Sequence, residues 1–143
     1  MTGTFQGVGV FQYSPDNKFV AGYSGVKSTG APALTEETLF EDSTNSQYLV
    51  LTIDVRRGTG GNVGNDYVHH IYINGIEVLE EYDSTVNDSP PSLYPVKIIL
   101  PPFATLKVTT ENITSGVDNN ISAVIMGSVH GTIEQFDLEL KNE

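Results

Sequence analysis

The chain has 143 residues, no cysteine, and seven basic against eighteen acidic side chains, for a formal charge of −11. Without cysteine there is no disulfide scaffold, thiolate zinc site or cysteine nucleophile. The acid excess argues against a general binder of nucleic acid or anionic membrane. No stretch approaches the roughly 20 apolar residues of a membrane span, and Met1-Thr-Gly-Thr-Phe-Gln6 lacks the basic patch and apolar run of a signal peptide. The length suits one domain, and the composition suits an all-β one. Val, Ile, Thr, Tyr and Phe supply 52 residues against five Ala.

Residues 1–33 carry only Asp16, Lys18 and Lys27, so the whole negative excess lies in 34–143. This divides the chain into N-terminal strands or an arm (1–33), packing on the sandwich or on a neighbour, and a β-sandwich body (34–143). Phe5–Tyr13 and Phe19–Ser24 are predicted as the first strands. The one helical candidate in the chain is Thr35-Glu-Glu-Thr-Leu-Phe40, where Thr35 could cap a single turn. Tyr48–Val55 alternates strictly, with Leu49, Leu51, Ile53 and Val55 on one face. A glycine loop from Gly58 to Gly64 follows, and then a hairpin over His69–Leu79. Its Asn74-Gly75 pair suits a type I′ turn, which needs positive φ at both positions. An unbroken register then sets Ile73 opposite Ile76, Ile71 opposite Val78 and His69 opposite Glu80, with all four aliphatics facing the core. Val96–Leu100 is a short strand bracketed by Pro90-Pro91, Pro95 and Pro101-Pro102. Ala104–Glu111, Ile121–His130 and Phe136–Leu140 complete eight or nine strands. That pattern predicts an antiparallel β-sandwich, jelly-roll-like rather than immunoglobulin-like, since no core Trp or Cys pair is present.

The sequence names no catalytic, cofactor or metal residue. His69 and His70 are adjacent on a strand and point to opposite faces, so they cannot share an ion without a bulge. A cross-strand hydrogen bond from His69 to Glu80 is the expected role. His130 has no spacing that links it to them. Gly58–Gly64 fails the phosphate-loop template, because Asn65-Asp66 stands where Lys and Ser/Thr belong. Arg56-Arg57, the sole arginines, suit a strand end or a contact with carboxylates. Glu41-Asp42, Asp83 with Asp88, and Asp118 offer oxygen ligands, but none fits the spaced calcium loop. The glycosylation triplets at Asn87, Asn112 and Asn120 read as chance matches. Val124, Met126 and Val129 are expected to share one apolar face of the last strand, richer than one sheet face needs, which points to a homo-oligomer, with a trimer favoured.

One resemblance stands beside this reading. Lys97-Ile-Ile-Leu-Pro-Pro-Phe-Ala-Thr-Leu-Lys-Val-Thr-Thr-Glu-Asn112, followed by Ile121-Ser-Ala-Val-Ile-Met-Gly-Ser-Val-His-Gly131, resembles small structural proteins of tailed phages. In these an "I-x-x-P-P" turn and a "V-x-x-E-N" strand precede a final glycine-bearing strand. Over residues 96–131 the resemblance implies a sandwich or jelly-roll unit of the virion, either a capsid decoration or a tail or fibre component. Its partners would be capsid or other virion proteins, and it implies no catalytic residue or cofactor. The competing expectations are a carbohydrate-binding module using Tyr72, Tyr82 and Tyr94, and a cupin-like enzyme. The lack of Trp weakens the first, and the scarcity of convergent ligands weakens the second.

Overall fold

The computed structural model describes residues 8–14, 16, 18–29, 36–57, 67–83, 95–113 and 119–131. Its strands are β1 (Gln12–Tyr13), β2 (Phe19–Tyr23), β3 (Lys27–Thr29), β4 (Glu36–Ser43), β5 (Tyr48–Arg57), β6 (Tyr67–Ile73), β7 (Ile76–Asp83), β8 (Val96–Leu100), β9 (Thr105–Asn112) and β10 (Asn119–His130). They form two antiparallel sheets. One runs β1-β2-β10-β5-β8 with β3 also paired to β10, and the other runs β4-β9-β6-β7. The protein is an all-β sandwich. Setting aside the short β1 and β3, the chain pairs as nested couples: β2 with β10, β4 with β9, β5 with β8, β6 with β7. It is one long hairpin rolled up, successive couples alternating between the sheets.

Alternation explains the core. Leu49, Leu51, Ile53 and Val55 of β5 point inward beside Ile121, Ala123 and Ile125 of β10. They face Ile71, Leu106 and Val108 of the other sheet. Lys27 ties the layers together, its Nζ donating to the Thr38 carbonyl at 2.6 Å. Phe40 fills a slot that only glycine leaves open. A Cβ on Gly9 would lie 2.6 Å from its ring, and one on Gly22 would lie 2.5 Å away. Gly9 also exchanges backbone hydrogen bonds with β4, its N–H donating to Leu39 and its carbonyl accepting from Glu41. The N-terminal segment therefore bridges both sheets, since Gln12 and Tyr13 pair with β2.

Four sequence expectations are corrected. The predicted helical turn is strand β4. A bulge between Thr38 and Phe40 lets the adjacent Leu39 and Phe40 both turn inward, which makes a bulged strand look non-alternating. The three-residue β3 was not expected, and no apolar run marks it. In the hairpin, Asn74 (φ 52°) and Gly75 (φ 79°) do form the two-residue turn, and Ile73 pairs with Ile76. A bulge at Val78 then shifts the register, so Ile71 pairs with Leu79 and His69 with Glu81. The shift brings Leu79 against the core and leaves Val78 49% and Ile76 68% exposed, so two of the four aliphatics are not buried. Finally, Val129 faces the core side, opposite Val124 and Met126. The predicted Phe136–Leu140 strand, the Gly58–Gly64 loop and Phe5 lie outside the described residues.

Candidate functional site

The two outer faces of the sandwich differ in chemistry. On the six-stranded sheet the outward positions form a grid fixed by the register. Phe19, Ser128, Val50 and Ile99 make one row across four strands. Ala21, Met126, Thr52 and Lys97 make the next, and Tyr23, Val124 and Asp54 a third. Phe19 (65% exposed), Met126 (62%), Tyr23 (55%) and Ile99 are open to solvent. The charges here are few. Asp54 accepts from Arg56 Nε at 2.8 Å along its own strand. A contiguous apolar face of this kind marks an interaction surface more often than a solvated wall.

The outer face of the four-stranded sheet is acidic, carrying Glu36, Glu41, Glu77, Glu80 and Glu111 against Lys107. Its centre is His70, only 8% exposed. Nδ1 of His70 is hydrogen-bonded to Glu77 of β7, and Nε2 to Glu111 of β9 at 3.1 Å. Glu36 of β4 lies 3.7 Å from Nε2. Burial, the largest single influence, pulls the pKa of the ring down. The hydrogen bonds to Glu77 and Glu111 and the charges of Glu36 and Glu77 outweigh it and hold His70 above the ordinary histidine value. Glu36 also accepts from the Thr109 hydroxyl (2.7 Å) and the Tyr72 hydroxyl (2.7 Å). The Thr109 bond leads in holding Glu36 below the usual carboxylate range. The bond to Glu36 likewise leads in pushing Tyr72 up to about 12.

Donor atoms of His70, Glu77 and Glu80 lie within 4.8 Å of one another. Nδ1 and the Glu77 carboxylate are in direct hydrogen-bond contact, so an ion held by the three would have to part that pair.

The structure separates the three histidines. His69 points between the sheets, and its Nδ1 is 2.9 Å from Thr110 Oγ1. His70 points outward. His130 sits at the end of β10, stacked on Tyr48 at 5.1 Å with Nε2 2.7 Å from Ser128 Oγ. The predicted partner of His69, Glu80, instead lies opposite His70. Glu41 and Asp42 point to opposite faces of β4, and Asp42 accepts from the Phe11 and Ser43 amides. Asn112 is buried, which closes it to a glycan. Asp88, Asp118, Asn87, Tyr94 and the side chains of Arg57 and Asp83 lie outside the described residues. The sequence reading missed Glu36, Glu77 and Glu111. The available signal was a histidine on a strand whose neighbours, once paired, are rich in glutamate.

A scan against models of known protein families finds no match to the chain, and a search of curated proteins finds none either.

Proposed function

We propose that this protein is a non-enzymatic structural subunit of a virion, a capsid decoration or cement protein or a related phage assembly component. The observation that carries this reading is the apolar outer face built on Phe19, Tyr23, Val124, Met126 and Ile99. Among the described residues it is the less charged of the two outer faces, and burying it against a neighbouring virion subunit is the work it is suited to. The nested pairing β2-β10-β5-β8 over β4-β9-β6-β7 supports a jelly-roll reading, an architecture shared by capsid and lectin domains. The resemblance over residues 96–131 points the same way. At −11 per chain, like subunits repel at long range, so contact at the neutral apolar face sets a homo-oligomer, with a trimer favoured. The carbohydrate-binding reading is weaker, because Tyr72 spends its hydroxyl on Glu36 and stacks beside His70 at 6.0 Å.

The test is incorporation. Mass spectrometry of purified particles of the encoding phage should find this chain, and the double variant Phe19→Glu, Met126→Glu should fold normally but be missing from them. A double variant that still enters particles, or particles that lack the wild-type chain, would refute the proposal.

A further inference from the structure

The cluster on the acidic face does more than decorate it. A neutral imidazole carries one N–H and one lone pair, whereas the imidazolium donates through both nitrogens. His70 has a carboxylate at each nitrogen, Glu77 on one side and Glu111 on the other. In the neutral ring, whichever tautomer is adopted, one carboxylate faces a lone pair. The two carboxylates belong to different strands, and the strands are not held equally. β9 lies between β4 and β6, while among the described residues β7 is an edge strand held by β6 alone. Its pairing is already interrupted by the Val78 bulge, beside Glu77.

We propose that His70 is a proton-operated clasp: the imidazolium bridges Glu77 and Glu111 and so fastens edge strand β7 to the sheet, and loss of that one proton releases β7. The groups that face the ring all act in the same sense except one. Glu77 and Glu80 come from β7, Glu111 from β9 and Glu36 from β4, and all of them favour the charged ring. Lys107 of β9 opposes it, and Tyr72 of β6 keeps its proton across this range. Deprotonation therefore removes a donor and, in the same step, leaves four carboxylates around an uncharged ring. Because the folded pKa is raised, the clasp contributes fully below the unfolded histidine value. It is lost as pH rises through the folded one. Nothing in this depends on the virion reading.

The test is a histidine-ring NMR titration beside amide exchange, with exchange corrected for its intrinsic base catalysis. The ring of His70 should titrate above the ~6.5 of an unperturbed histidine. Across that midpoint, β7 amide protection should fall severalfold relative to β5, whose amides should not respond. His70→Gln should abolish the step. Glu77→Gln, a milder change on an exposed residue, should lower the midpoint and shrink the step while the protein stays folded, and it decides the matter if His70→Gln does not fold. A midpoint at or below ~6.5, a β7 to β5 ratio that stays flat, or a midpoint that moves when EDTA is added would overturn the proposal. The last result would mean that a metal ion, not a proton, holds the carboxylates.

Discussion

Gly22→Ala probes the packing at the join between the N-terminal strands and the body. The added methyl would sit 2.5 Å from Cε2 and Cζ of Phe40 and 3.0 Å from the Val10 carbonyl. Carbon atoms in contact prefer about 3.5–4.0 Å, so ring or strand must yield by about 1 Å. The ring has nowhere to go. It is fully buried, Gly9 lies against the adjacent Cδ2, and the Phe11 ring is tilted against it at 5.2 Å. Overpacking of this kind costs about 1–3 kcal/mol, and with backbone on one side and a trapped ring on the other we expect the upper end. Phe40→Leu alone should cost somewhat less than the ~3–5 kcal/mol of a Phe→Ala truncation. It also removes the ring atoms that the new methyl would strike. The double variant should therefore be more stable than the sum of the singles by about 1–2 kcal/mol, a coupling of the size seen between touching residues. Chemical denaturation at constant m reads this directly. Additive singles, or a Gly22→Ala midpoint indistinguishable from wild type, would refute the slot.

Gly75→Ala isolates backbone strain, because a Cβ there meets nothing within 4 Å while φ is +79°. It should cost about 1–2 kcal/mol by denaturation, and Gly75→Asn distinctly less, since Asn tolerates this region. In an alkaline titration followed by NMR of labelled tyrosine, Tyr72 should ionise at about 12. Glu36→Gln should bring it back toward the ordinary tyrosine range. The same contacts hold Glu36 below its usual value, so whatever stability they add is present above the unfolded carboxyl pKa and lost as pH falls through the folded one. Thr109→Val should move that acid limb upward.

Strand β5 was legible because four aliphatics at period two leave no other reading, and β8 because prolines fence it on both sides. The hairpin turn was legible because Asn74-Gly75 meets a strict dihedral demand. Asn74 also accepts the Thr105 amide on its side chain at 2.9 Å. The bulges were not legible. A bulge reverses which face every later residue takes, and its reason lies in tertiary packing. At Val78 it buries Leu79; at Leu39 it admits two large side chains side by side. The candidate site depended on those reversals. His70 meets Glu80 only because the Val78 bulge carries Glu80 to the outer face. Its other partners, Glu36 and Glu111, come from strands 34 and 41 positions away in the chain. The apolar outer face was half visible, in Val124 and Met126. The rest of it, Phe19 and Tyr23, is recognisable only once β2 is seen to lie beside β10.

Among the described residues β7 and β8 each end one side of a sheet, each with a row of backbone donors and acceptors that a foreign strand could copy. The two are defended differently. β8 is five residues long with Pro95 before it and Pro101-Pro102 after it, too short and too bounded to template a growing sheet. β7 is eight residues long and relies instead on its bulge and on Glu77, Glu80 and Glu81. Stacking two such edges would set like charges against each other, and the kink at Val78 spoils the flat register that cross-β growth needs. One bulged valine and three acids thus oppose edge-to-edge pairing through this strand.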